Sequence, residues 1–192
     1  MARVLGIVLL VAYPVLVHFG VTHGSPRLVA LVLLGVLLPV VLLRWRRPDA
    51  AAMRGLALIP LVTVAALGLG AVLDAGGFVL AVPVAVNALL LLAFGATLRR
   101  GAVPMIERFA RLQEPGLPAP KCRWCRQWTV AWCAFFALNG AIALVLALAA
   151  PLAWWTVYNG LLAYVLMGLL FATEWIGRRL RFGLPGDALG PP

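Results

Sequence analysis

Six apolar runs, joined by connections that alternate between cationic and nearly uncharged, constrain this chain more than any other feature. The runs occupy 4–21, 28–43, 55–73, 78–98, 129–150 and 153–173. Each approaches the ~20 residues with which an α-helix crosses ~30 Å of hydrocarbon. Of the 16 Lys and Arg residues, all but Arg27 fall in alternate gaps: Arg3; Arg44, Arg46, Arg47 and Arg54; Arg99, Arg100, Arg108, Arg111, Lys121, Arg123 and Arg126; and Arg178, Arg179 and Arg181. Short cationic connections stay on the cytoplasmic side, where they resist translocation and face an anionic leaflet. The pattern predicts an all-α integral membrane protein, a six-transmembrane-helix bundle with both termini cytoplasmic. A cytoplasmic loop at 99–127 and a cytoplasmic tail at 174–192 complete a single polytopic domain over 1–192.

Composition excludes several other classes. A 64% hydrophobic content and a mean hydropathy of +1.04 belong to a chain whose solvent is mostly lipid. The longest connection, 99–127, is shorter than the ~40 residues at which small domains already need staples, so no appended enzyme domain is expected. The net charge of +10 and pI of 11.2 are explained by topology, because the cations abut the spans; nucleic-acid binding is not expected. Arg far outnumbers Lys beside abundant Ala, Gly, Pro and Val, which fits a GC-rich bacterial genome. The first run is read as a retained helix, since Pro14 and His18 interrupt it and Thr22-His23-Gly24 is a poor cleavage site.

Few side chains offer chemistry. No Asp, Glu, Lys or Arg lies at the centre of a span, where an ionisable group would be costly and functional. Asn87 and Asn139 read as interhelical hydrogen-bonding residues, a role worth ~0.6 kcal/mol on average in membranes. His18 and His23 could recruit only Asp74 as a third metal ligand, and they read as interfacial histidines. Cys122 and Cys125 form a Cys-X-X-Cys pair without the second pair that a zinc ribbon requires. Cys133 lies about 12 Å further along a helix axis, too far to share an ion. The cysteines are therefore read as incidental, and no catalytic, cofactor or metal site is assigned. Small residues at Ala66/Gly70 and Ala143/Ala147 predict close helix approach. Trp154 and Trp155 are placed at the outer interface, and Trp45, Trp124, Trp128 and Trp175 at the inner one. Trp128 and Trp132 share a helical face, followed by Phe135 and Phe136.

The 99–127 loop carries the clearest local signal. Pro104 opens a short helical pattern with Met105, Ile106, Phe109 and Leu112 on one face and Glu107, Arg108 and Arg111 on the other. This predicts an amphipathic interfacial helix between spans four and five, resting in the headgroup plane. Arg108 and Arg111 are the candidate contacts for an acidic partner, and Glu174, at the inner end of span six, is expected to face this loop.

Three stretches also resemble a family of bacterial inner-membrane proteins encoded in aryl-polyene and xanthomonadin-type, fatty-acid-like biosynthetic gene clusters. They are PMIERFARL at 104–112, TVAWCAFFALNG at 129–140 and FATEWIGRR at 171–179. Arg108, Phe109, Ala110, Arg111, Trp132, Phe135, Phe136, Asn139 and Glu174 occupy the matching positions. Residues 1–100 match mainly in hydropathy, and the Cys122–Cys125 region departs from the Tyr-Thr-Arg-like stretch usual there. The resemblance implies a pathway context and not a reaction. It leads to the expectation of a non-enzymatic accessory protein that docks acidic acyl-carrier or synthase proteins at the membrane, through Arg108, Arg111 and neighbouring cations. Two alternatives stand beside it: a small translocator of a lipid or polyene product using the aromatic face around Trp132, or an enzyme on a lipid-linked substrate with Glu107 or Glu174 as its acid/base.

Overall fold

A computed structural model of the chain describes Thr22 and residues 25–45, 54–73 and 75–183. The expected span 4–21, His18, His23, Asp74, the connection around Arg46 and Arg47, and the tail beyond 183 lie outside the described residues. So do the side chains of Arg44, Trp45, Arg54 and Gly70. Among the described residues the protein is mostly helical, with no strand. The helices are α1 (Pro26–Trp45), α2 (Arg54–Leu73), α3 (Gly76–Leu80), α4 (Val82–Ala96), α5 (Met105–Arg111), α6 (Ala119–Ala149), α7 (Leu152–Val157) and α8 (Ala163–Phe182), with a π-helical turn at Tyr158–Leu162 between the last two.

Three continuous helical stretches are long and apolar enough to cross a membrane: Gly76–Ala96, Ala119–Ala149 and Leu152–Phe182. The first is interrupted at Ala81, two residues before Pro83, whose missing amide removes a bond to the preceding turn. The second and third are 31 residues each, about 46 Å at ~1.5 Å per residue, so they outrun the hydrocarbon. This revises the boundaries expected from hydropathy. The fifth apolar run begins at 129, but its helix begins ten residues earlier, directly after Pro118 in an extended conformation (φ −70°, ψ 155°). The sixth run ends at 173, but its helix continues to Phe182 and stops at Gly183, whose positive φ of 72° turns the chain out while its N–H donates to Arg179 O. Apolarity marks where lipid would begin; proline and glycine mark where the helix does.

The helices pack in sequence order, α1 on α2, α2 on α4 and α4 on α6, with α5 laid on α6. Two cores result, at opposite ends of the antiparallel α4–α6 pair. One gathers Val29, Ala30, Leu33, Leu67, Val79 and Trp155. The other gathers Phe94, Met105, Ile106, Cys125, Trp132 and Phe136. Between them lies a polar layer. Asn139 Nδ2 donates to Asn87 Oδ1 at 3.1 Å, Tyr158 Oη donates to Asn139 Oδ1 at 2.9 Å, and Asn87 Nδ2 donates to Pro83 O at 2.8 Å. The expected interhelical role of the two asparagines is thus realised between them. Ala143 is fully buried, as its spacing suggested, but the tightest approach is at Gly140, where a Cβ would sit 3.0 Å from Asn87 Cβ. Trp154 is 65% exposed, in keeping with an interfacial ring. Trp155 is not interfacial; it is fully buried, because successive helical residues point ~100° apart. In the last helix only Ala163 and Glu174 are buried, and Met167 and Leu170 pack at the edge of the second core.

Candidate functional site

The site lies where α4 ends and the connection folds back over α6. A turn through Gly101 (φ 80°) reverses the chain. The N-terminal amides of a helix have no partner within it, and here two threonines from other helices supply the acceptors. Thr97 Oγ1 accepts from Met105 N at 2.9 Å while donating to Phe94 O at 2.6 Å. Thr129 Oγ1 accepts from Ile106 N at 3.3 Å while donating to Cys125 O at 2.8 Å. Both threonines are buried, so α5 is pinned onto the bundle by its first turn.

This anchoring rotates α5 away from the orientation its hydrophobic pattern suggests. Met105, Ile106, Glu107 and Ala110 are the buried residues, and Leu112 is 69% exposed. Glu107 therefore joins Met105 and Ile106 on the inward face, contrary to the expected amphipathic division. The carboxylate is tolerated inside because Arg111, one turn on, donates to its Oε1 through Nε at 2.9 Å and Nη2 at 2.7 Å. That contact holds the Arg111 guanidinium above its ordinary pKa. Arg111 also reaches Pro115 O at 3.4 Å and Cys122 Sγ at 3.9 Å. Arg108 turns elsewhere, donating from Nε to Val103 O at 3.0 Å. Nearby, Lys121 Nζ meets both Glu114 oxygens at 2.9 Å.

Glu174 enters the same region from α8. It is buried, with Arg178 one turn away and Trp132 acting on its carboxylate from α6 without closing a hydrogen bond. Glu107, Glu174 and Arg178 all act electrostatically on Cys125, which is wholly buried. Cys122 and Cys125 sit on the first turns of α6, not in a loop, and Cys122 Sγ donates to Leu117 O at 3.5 Å. Trp132 stacks at 5.6 Å from Phe136 and 5.8 Å from Phe135, and Phe136 meets Phe94 edge-on at 5.1 Å.

Of the six residues singled out by sequence, Glu107 and Arg111 form one unit, while Trp132 and Glu174 are buried on α6 and α8. Arg108 donates to Val103 O, and Asn139 lies about two helical turns from Trp132 in the polar layer. Thr97 and Thr129 carry the geometry yet were not singled out, since a capping hydroxyl 8 or 23 residues from its amide leaves no local trace. Among the described residues no group of three His, Cys, Asp or Glu side chains is arranged to hold a metal ion. No protein family, no curated protein and no solved structure is matched by this chain.

Proposed function

We propose that this chain is a six-span protein of a bacterial inner membrane, with both termini in the cytoplasm, and that its cationic end docks acidic acyl-carrier or synthase proteins of a lipid-like biosynthetic pathway. The topology rests on the segregation of arginine across the six apolar runs. The pathway rests on the resemblance of the 104–112, 129–140 and 171–179 stretches. One structural observation carries the docking itself. Two acids of the cationic end are already paired within it, Glu107 with Arg111 and Glu114 with Lys121. Arg99, Arg100 and Arg126 are exposed, and none of the three belongs to an ion pair between described residues. A field of this sign speeds and orients the approach of an acidic surface.

The geometry moves the expected contacts. Arg111 spends its charge on Glu107, so it is a scaffold for α5 and not the leading contact. Arg99 and Arg100, at the turn before Gly101, stand clear of the bundle. Arg126 buttresses that turn, donating from Nη2 to Leu98 O at 2.8 Å. Co-purification with a purified acidic acyl carrier protein tests this. Arg99→Glu with Arg100→Glu should abolish recovery of the carrier while the protein still inserts, and Arg111→Gln should reduce it much less. Full recovery with the double variant would discard the reading.

A second reading draws on Glu174. A buried carboxylate beside Trp132 suits an acid or base acting on a lipid-linked substrate. Loss of pathway product with Glu174→Gln, at unchanged carrier recovery, would favour that reading over docking. The translocator reading is the least supported, because Trp132 and Phe136 are only 7% and 4% exposed and pack into the core.

A further inference from the structure

Away from the Glu107–Glu174 region, the first turns of α6 and the last turns of α8 form a shallow groove of about 100 Å³, lined by Pro120, Arg123, Trp124, Gln127 and Arg181. Its floor is set by close packing. A Cβ at Gly177 would stand 3.1 Å from the Trp124 ring, so any larger residue there would have to push that ring aside by a few tenths of an ångström. Phe182 meets the same ring edge-on at 5.9 Å. One wall is also fixed, because the Arg181 guanidinium lies 5.6 Å from the centroid of Trp124 and 5.8 Å from that of Phe182. Arg123 faces the groove from α6, and neither arginine belongs to an ion pair formed by the described residues. The groove residues lie about 3–14 Å along the helix axes, at ~1.5 Å per residue, beyond the apolar stretches that start at 129 and end at 173, on the headgroup side of a ~30 Å hydrocarbon layer.

We infer that this groove is a binding site for the phosphate of an anionic phospholipid headgroup. Two guanidinium forks converging on a small volume suit the tetrahedral array of phosphate oxygens. Gln127 adds an uncharged amide able to donate to headgroup oxygens, and the Trp124 ring provides the amphipathic surface that such rings present at membrane interfaces. Basic pockets between membrane helices on the cytoplasmic side recognise headgroups in this way. The inference rests on the membrane reading but not on docking: it uses Arg123 and Arg181, whereas docking leads with Arg99 and Arg100.

Lipid retention by the purified full chain, followed by native mass spectrometry, tests it. The wild-type protein should hold phosphatidylglycerol in preference to phosphatidylcholine of the same acyl chains. Arg123→Gln with Arg181→Gln should lower that preference about thirtyfold. Arg123→Lys with Arg181→Lys should keep much of it, which separates lost charge from a lost fold. Arg99→Gln with Arg100→Gln, removing the same charge elsewhere at this end, should leave it unchanged. Equal retention of the two lipids by the wild type would overturn the inference, as would equal losses in the two glutamine doubles. Displacement of phosphatidylglycerol by excess inorganic phosphate would assign the groove to a soluble phosphate and overturn the lipid assignment.

Discussion

At one end of the α4–α6 pair, Val29, Leu67, Val79, Val82 and Trp155 pack into an apolar cluster. About 18 Å along α4 at ~1.5 Å per residue, from Val82 to Phe94, the core has changed character. There Phe94, Met105 and Trp132 surround buried hydroxyls and carboxylates, and α5 is attached by hydrogen bonds to Thr97 and Thr129. The first end gains its stability from packing that any close-fitting apolar set would reproduce. The second end depends on particular atoms in register. A bundle that needed only to stand in a membrane would have no use for that second kind of end, so function is sought where polar groups are buried.

Substitutions at the two ends should separate these regimes, and thermal unfolding in one detergent is the common measurement. The largest loss is expected from Trp155→Ala, which empties a fully buried site in the apolar core; large-to-small changes of this kind cost about 3–5 kcal/mol. Thr129→Val is nearly isosteric but strands the Ile106 amide, a loss of about 1–3 kcal/mol. Its distinctive sign is local: amide exchange in α5 should accelerate while exchange in α2 and α4 stays as it was. If α5 remains protected, the threonine anchors are not what holds it.

The Glu107–Arg111 pair should behave asymmetrically. Arg111→Met leaves a carboxylate whose side chain is 8% exposed without its partner, whereas Glu107→Gln leaves a guanidinium that is 43% exposed and can return to water. The arginine variant is therefore expected to melt lower than the glutamine variant. The reverse order would show that the pair is held by solvent-side charge alone. Smallest of the four is Asn139→Leu, which removes bonds to Asn87 and Tyr158 in the middle layer and should cost about 0.6 kcal/mol. A loss comparable to that of Trp155→Ala would mean that the polar layer, and not the apolar core, organises the bundle.

Legibility in the sequence followed the length scale of the interactions. The apolar runs and the helix at Pro104 could be read directly, because hydropathy and proline act within a few residues. Helix ends could not be read from hydropathy, since Lys121, Arg123 and Arg126 are compatible with a helix that continues out of lipid. The inward turn of Glu107 reverses the usual rule that charges face water, yet its Glu–Arg spacing of four was present in the sequence. Asn87 and Asn139 were legible as polar residues in need of a partner, but the third member, Tyr158, is brought in by the π-helical turn that no simple periodicity announces. Thr97 and Thr129 were illegible, because their partners belong to another element.

Transmembrane orientation is the claim on which docking and headgroup binding both depend. Alkaline phosphatase, active only after export from the cytoplasm, can be fused in living bacteria after Pro151, in the α6–α7 hairpin, and separately after Phe182, at the end of α8. The expected result is activity in the first fusion and none in the second at equal expression. Activity after Phe182 with silence after Pro151 would put the arginine-rich end outside the cytoplasm and contradict the central claim.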